Sequence, residues 1–208
     1  FILVLCAFLI AIVMGVLLGF LAGLKPDSLL DKAISGFLLL GISFAEFFVG
    51  IMLMLLIAFH LGLVPTSGYG ELKHLVLPAL TLGYRPGARI ALITRPAVAE
   101  ELNRHYVIAL KAKGLTSRGV ISHLAKNVGA VILSIGGFEF ARMFAGVTVV
   151  VETIFGWPGI GNLFFTAIAN RDWTLIVAGT VVMASLVVLV HLIVDLLYGV
   201  LDPRVRYK

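Results

Sequence analysis

EELNRHYVIALKAKGLTSRGVISHLAKN, residues 100–127, is the one long polar and basic stretch in a chain of 208 residues. Apolar positions recur through it at helical spacing: Leu102, Tyr106, Ala109, Leu110 and the aliphatic stem of Lys113. Gly114 ends the run. After Leu115 comes Thr116-Ser117, a natural N-cap pair, and a second helical run opens at Arg118. The stretch reads as helix, glycine break, helix, set between two apolar runs of membrane length. A short amphipathic helix held at a membrane surface presents one face to whatever docks there, so it points to a contact surface for another protein.

On both sides the chain turns oily. It is 61% hydrophobic and only 13% charged, where soluble domains carry about 25% charged residues. Residues 1–24 hold no charge and as a helix would extend about 36 Å, enough to cross a bilayer. No basic segment precedes them and the apolar run is too long for a secretion signal, so they read as a spanning helix. The pattern predicts five spans, near 1–24, 34–59, 78–97, 128–151 and 173–200. The connection 25–33 carries two basic residues, the centre from Arg95 to Lys126 six, and the tail beyond Asp202 three; the opposite connections, 60–77 and 152–172, hold Lys73 and Arg171. This bias places the central loop and the C-terminus in the cytoplasm and residue 1 outside. A net charge of +5 therefore reads as orientation in a membrane, not as affinity for nucleic acid. Cys6 lies inside the first span, and no Cys/His spacing suits a metal.

Three further strings punctuate the chain. Leu77-Pro78-Ala79-Leu80-Thr81-Leu82-Gly83 opens the third span after a loop marked by Pro65, Gly68 and Gly70. Pro86, flanked by Gly83 and Gly87, is expected to kink or break that helix. Glu152-Thr153-Ile154-Phe155-Gly156-Trp157-Pro158-Gly159-Ile160-Gly161 makes a turn in the external loop 152–172, and residues 160–169 follow as a short apolar helix, re-entrant over the outer mouth. The chain closes on Leu201-Asp202-Pro203-Arg204-Val205-Arg206-Tyr207.

Together with Tyr106-Val107-Ile108-Ala109-Leu110-Lys111-Ala112-Lys113-Gly114-Leu115, these strings resemble the permeases of ABC importers, in the B-type subunit of the dipeptide/oligopeptide/nickel branch. The resemblance covers the whole chain. In that family the central loop carries a degenerate E-A-A-x-x-x-G motif whose short helix sits in a cleft of an ATPase. Gly114 falls on the motif glycine and Ala109 on its first alanine, while Ile108 and Leu110 replace its glutamate and second alanine. His105 stands where an acidic residue is usual. The resemblance implies an all-α, polytopic membrane bundle of the type I importer class, one transmembrane domain over 1–208. It further implies ATPase coupling through Tyr106, Ala109, Leu110, Ala112, Lys113, Gly114 and Leu115. Glu152, Phe155, Trp157, Pro158, Gly159 and Gly161 would form an external gate that meets a binding protein. The family has one more N-terminal span, consistent with an odd span count and a chain that starts on Phe1. Expected partners are a second related permease, two ATPase subunits, an extracytoplasmic solute-binding protein and the lipid bilayer of a bacterial or archaeal cell membrane. ATP and magnesium belong to the ATPases: this chain has no G-x-x-x-x-G-K-[ST] and should bind no cofactor. Peptides are the first expectation for the solute; nickel complexes or other small solutes stay open.

Charges within the spans are functional candidates by default. Glu139 and Arg142, three apart, share a helical face and can pair; Arg85 and Arg89, four apart around Pro86, should face water or a carboxylate such as Glu139. These four residues either line a translocation path or form buried ion pairs. Glu46, near Ser43, reads as a lone carboxyl protonated in the core, and His191 with Asp195 as a structural pair. An intramembrane protease using Ser67 with His60, His74 or His191 lacks any supporting motif, and no H-E-x-x-H occurs. A secondary transporter working without ATP would show internal inverted repeats, and none is visible.

Overall fold

The computed structural model describes residues 1–144 and 148–201, and their side chains except those of residues 111, 117, 118, 195 and 197–201. The L-D-P-R-x-R-Y ending beyond residue 201 and the His191–Asp195 pair therefore lie outside the described residues. The described residues are mostly helical, and their organising pair is α1 (Ile2–Gly23) against α4 (Leu72–Leu102). Ala7, Ala11, Gly15, Gly19 and Gly23 recur every four residues down α1, all of them buried, so one small-residue stripe lets the two backbones approach. The approach leaves no room for side chains. A Cβ on Gly19 would lie 2.6 Å from that of Thr94, and one on Gly83 would lie 2.5 Å from the Ala7 carbonyl oxygen.

This contact bears on the kink or break expected at Pro86. Pro78, Pro86 and Pro96 all lie inside α4, yet the helix runs through all three without a break. A proline removes one intrahelical hydrogen bond and crowds the turn before it, but packing along α1 outweighs that local preference. A departure from expectation concerns residues 34–59. They do not form one straight span: α2 (Leu29–Ser43) meets α3 (Glu46–Leu53) and its π-helical continuation Met54–His60 at 105°. Two consecutive residues of α4 hold the bend. The Tyr84 hydroxyl donates to the Phe44 carbonyl at 2.9 Å, and Arg85 reaches Glu46 at 3.4 Å.

Beyond α4 come α5 (His105–Ala112), α6 (Ser117–Arg142), α7 (Thr148–Phe155), α8 (Ile160–Ala169) and α9 (Trp173–Leu201). The expected span 128–151 is divided between α6 and α7. Helix α7 meets α8 at 78°, a bent pair of the kind a re-entrant segment forms. Among the described residues three helices are long and apolar enough to cross a membrane, or five spans if each bent pair counts as one. The sum matches expectation and the membership does not. The expected span 78–97 lies in α4, which is outside that set; Arg85, Arg89 and Arg95 fall within those residues.

Candidate functional site

Two places gather the charged and exposed side chains: the turn around α5, and a cleft between α3, α4 and α6.

At the first, Asn103 ends α4 and α5 begins at His105. Val107 is wholly buried with Val120 and Leu124, and Phe20, Leu24, Leu102, Tyr106, Leu110 and Leu115 pack around them. This small core anchors the underside of α5. Three of the seven predicted contact residues, Tyr106, Leu110 and Leu115, are thus partly committed to it, while Ala109, Ala112, Lys113 and Gly114 are exposed. Ile108 is 62% exposed beside them. The outward face is slim and apolar, with Lys113 at its rim. Gly114 has φ +78° and open space where a Cβ would be, so backbone conformation alone calls for glycine there. Thr116 caps α6 by accepting from the Gly119 N–H at 3.4 Å.

Glu101 ties this turn to α4. It pairs with Arg104 at 3.0 Å, accepts from the Tyr106 hydroxyl at 2.8 Å and from Asn127 Nδ2 at 3.4 Å. Burial, and then the hydrogen bond to Glu101, raise the Tyr106 phenol above its ordinary pKa, so it stays a donor. One turn and a half earlier, Arg95 grips Asp31, its Nη2 2.6 Å from Oδ2. Asp31 is 1% exposed and also accepts from the Asp27 N–H and the Ser35 hydroxyl. Sequence reading missed this pair, because a carboxylate in the first turn of a helix looks like an N-terminal charge and its partner is 64 residues away.

The second place joins four predicted residues and one more. Arg89 Nη1 lies 3.3 Å from both oxygens of Glu139, which is 2% exposed. Arg142 lies 3.6 Å from Glu139, beyond hydrogen-bonding length, with its guanidinium 5.8 Å from the Phe138 ring centre. The expected Glu139–Arg142 pair is therefore the looser of two, and Arg89 is the main partner. Glu46 does not stand alone as expected, since Arg85 salt-bridges it; the Ser43 hydroxyl donates to the Leu39 carbonyl. A narrow cleft lined by Glu46, Leu82, Pro86, Arg89, Glu139, Arg142 and Met143 runs between them. Arg85 lies about 20 Å from the start of α4 and about 26 Å from its end at 1.5 Å per residue, so the cluster packs against the middle of α4, with Glu46 at the start of α3 and Arg142 at the end of α6.

The external signature is mostly an internal brace. Glu152, Phe155, Trp157 and Gly161 are buried, Gly159 is half-buried, and Pro158 is exposed. The Glu152 carboxylate accepts from the Asn162 N–H at 3.1 Å, at the start of α8. It occupies the place a Cβ on Gly159 would take. The Trp157 N–H donates to the Glu152 carbonyl at 2.9 Å, and Tyr69 packs edge-on against the Trp157 ring at 5.0 Å.

Residues 15–207 match the family model described as binding-protein-dependent transport system inner membrane component. The chain is 34% identical to the dipeptide transport system permease protein DppB of Escherichia coli strain K12, the match covering 98% of this chain and 69% of that protein. It is 36% identical to the di/tripeptide transport system permease protein DppB of Pseudomonas aeruginosa, covering 98% and 69%. It is 37% identical to the oligopeptide transport system permease protein OppB of Salmonella typhimurium, covering 97% and 66%. In fold it resembles a chain of the MetNI methionine ABC transporter solved in inward-facing conformations, with TM-score 0.78, 15% identity and coverage of 96% and 91%.

Proposed function

Since the chain belongs to the family of binding-protein-dependent transport system inner membrane components, we propose that it is a permease subunit of an ATP-driven importer of di- or oligopeptides. It is a transport component, not an enzyme. In this reading it forms half of the solute path beside a second, related permease. Two ATPase subunits bind ATP and magnesium on the cytoplasmic side, and this chain holds no cofactor. A solute-binding protein delivers the peptide from outside, with Pro158 and Gly159 the accessible part of the contact. Residues 100–127 and the C-terminus face the cytoplasm of a bacterial cell whose inner membrane holds the subunit.

The observation that carries the reading is α5. Its underside is anchored by Val107, its outer face of Ile108, Ala109 and Ala112 is slim and exposed, and Gly114 turns the chain sharply behind it. Such a knob suits a cleft on an ATPase, and Lys113 at the rim would steer docking more than set affinity. Glu101 fastens the knob's base to α4, and the Asp31–Arg95 pair ties α2 to the same helix, so movement at α5 would reach the charged cleft as a rigid-body tilt. Ala109→Glu and Gly114→Val should each reduce ATPase retention on the purified permease pair, or uncouple hydrolysis from peptide uptake in vesicles. Lys126→Ala, on the exposed face of α6, should change neither. Wild-type retention and uptake in both of the first two variants would remove the assignment.

A further inference from the structure

The charged cleft has one cation more than its anions can use. Arg85 and Glu46 form one pair, and Arg89 covers both oxygens of Glu139. That leaves Arg142. Its nearest acid is at 3.6 Å and already engaged, and among the described residues no acceptor hydrogen-bonds its guanidinium. Its side chain is 43% exposed on the cleft that also holds Arg89 and Glu46. Within a bilayer a guanidinium rests against hydrocarbon only at a cost of about 3 kcal/mol on insertion scales. Water in a path, or an anion arriving there, is the favourable surrounding.

We propose that Arg142, with Arg89 beside it, receives the carboxylate of the transported solute. The proposal deepens the importer reading and rests on it. The guanidinium fork presents parallel N–H donors that match the two oxygens of a carboxylate. Glu139, nearly fully buried, holds Arg89 and keeps Arg142 near without satisfying it. The cluster stays close to neutral only while the path is loaded, so the empty state is the less comfortable one. Selection of a carboxylate is then made in the permease.

The test uses the assembled permease–ATPase complex in nanodiscs, without binding protein, and tritiated alanyl-phenylalanine as probe. Unlabelled alanyl-phenylalanine should displace the label at least about ten-fold better than alanyl-phenylalaninamide, the size expected for one charge-assisted hydrogen-bond pair. Arg142→Gln should abolish that preference while assembly is unchanged, and Arg142→Lys, which keeps the charge without the fork, should keep only part of it. Equal potency of acid and amide on the wild type, undetectable probe binding, or an unaltered preference in Arg142→Gln would overturn the proposal. So would loss of the second permease from Arg142→Gln, which would make Arg142 an interface charge. If wild-type permease retains no ATPase, the importer reading itself fails; if it retains ATPase and shows no acid preference, only the carboxylate site does.

Discussion

Glu139 stands between two guanidiniums at unequal distances, 3.3 Å from Arg89 and 3.6 Å from Arg142. The inequality makes a prediction that the sequence spacing alone would have reversed. Glu139→Gln should lower the yield of assembled subunit, because removing one side of a buried pair costs about 3–5 kcal/mol. Adding Arg89→Met should restore much of that yield, and adding Arg142→Met should restore little. Detergent-stable complex recovered by size-exclusion chromatography is the measure, and rescue by Arg142→Met alone would reverse the ranking. Gly114 is decided by a single angle: at φ +78° a valine would add about 1–2 kcal/mol of backbone strain, enough to reshape a turn and too little to unfold a membrane helix.

At the scale of elements, what could be read in advance was what is local. Thr116 as a cap, Gly114 as a break and a helix over 160–169 each depend on neighbours a few residues away, and each is found where the sequence puts it. The bend between α2 and α3 depends on Tyr84 and Arg85, about forty residues downstream, and nothing near Phe44 announces it. The α1–α4 seam did leave a trace. Small residues at every fourth position from Ala7 to Gly23 were visible, but only a partner with Gly83 and Gly87 gives them meaning. Gly19→Val should therefore wedge the pair apart and lower the melting temperature of the purified complex, with overpacking of roughly 1–3 kcal/mol. Gly36→Ala, with open space at its Cβ, should not, and equal effects would mean the seam is not close-packed. The external signature follows the same logic. Glu152 fills the space above Gly159, so Gly159→Ala should displace the carboxylate from the start of α8. Protease susceptibility between α7 and α8 should rise, and Glu152→Ala added to it should remove the clash without restoring the cap.

For the whole molecule the same long helix serves three tasks: α4 lines α1, carries the charged cleft and ends in the Glu101 hub beneath α5. It does so with a composition that leaves it outside the set of helices apolar enough to cross a membrane unaided. That has a consequence for how the protein is made. A nascent chain presents its helices to the bilayer in order, and each arginine at mid-bilayer adds about 2.5–3.5 kcal/mol to the cost of insertion. Glu46 precedes Arg85 by 39 residues and is at hand when α4 emerges, whereas Glu139 follows Arg89 by 50 and has not yet been translated. Helix α4 should thus linger at the translocon, held by α1 and α2, until α6 brings its countercharge. In ribosome-stalled chains with Cys6 replaced by Ser, a cysteine at Ala88 should react with a water-soluble maleimide when synthesis has stopped short of Glu139. It should become protected once α6 is out, and Glu139→Gln should delay that protection. Early protection in the short chains would mean that α4 enters the lipid on its own, and that the order of translation leaves no mark on assembly.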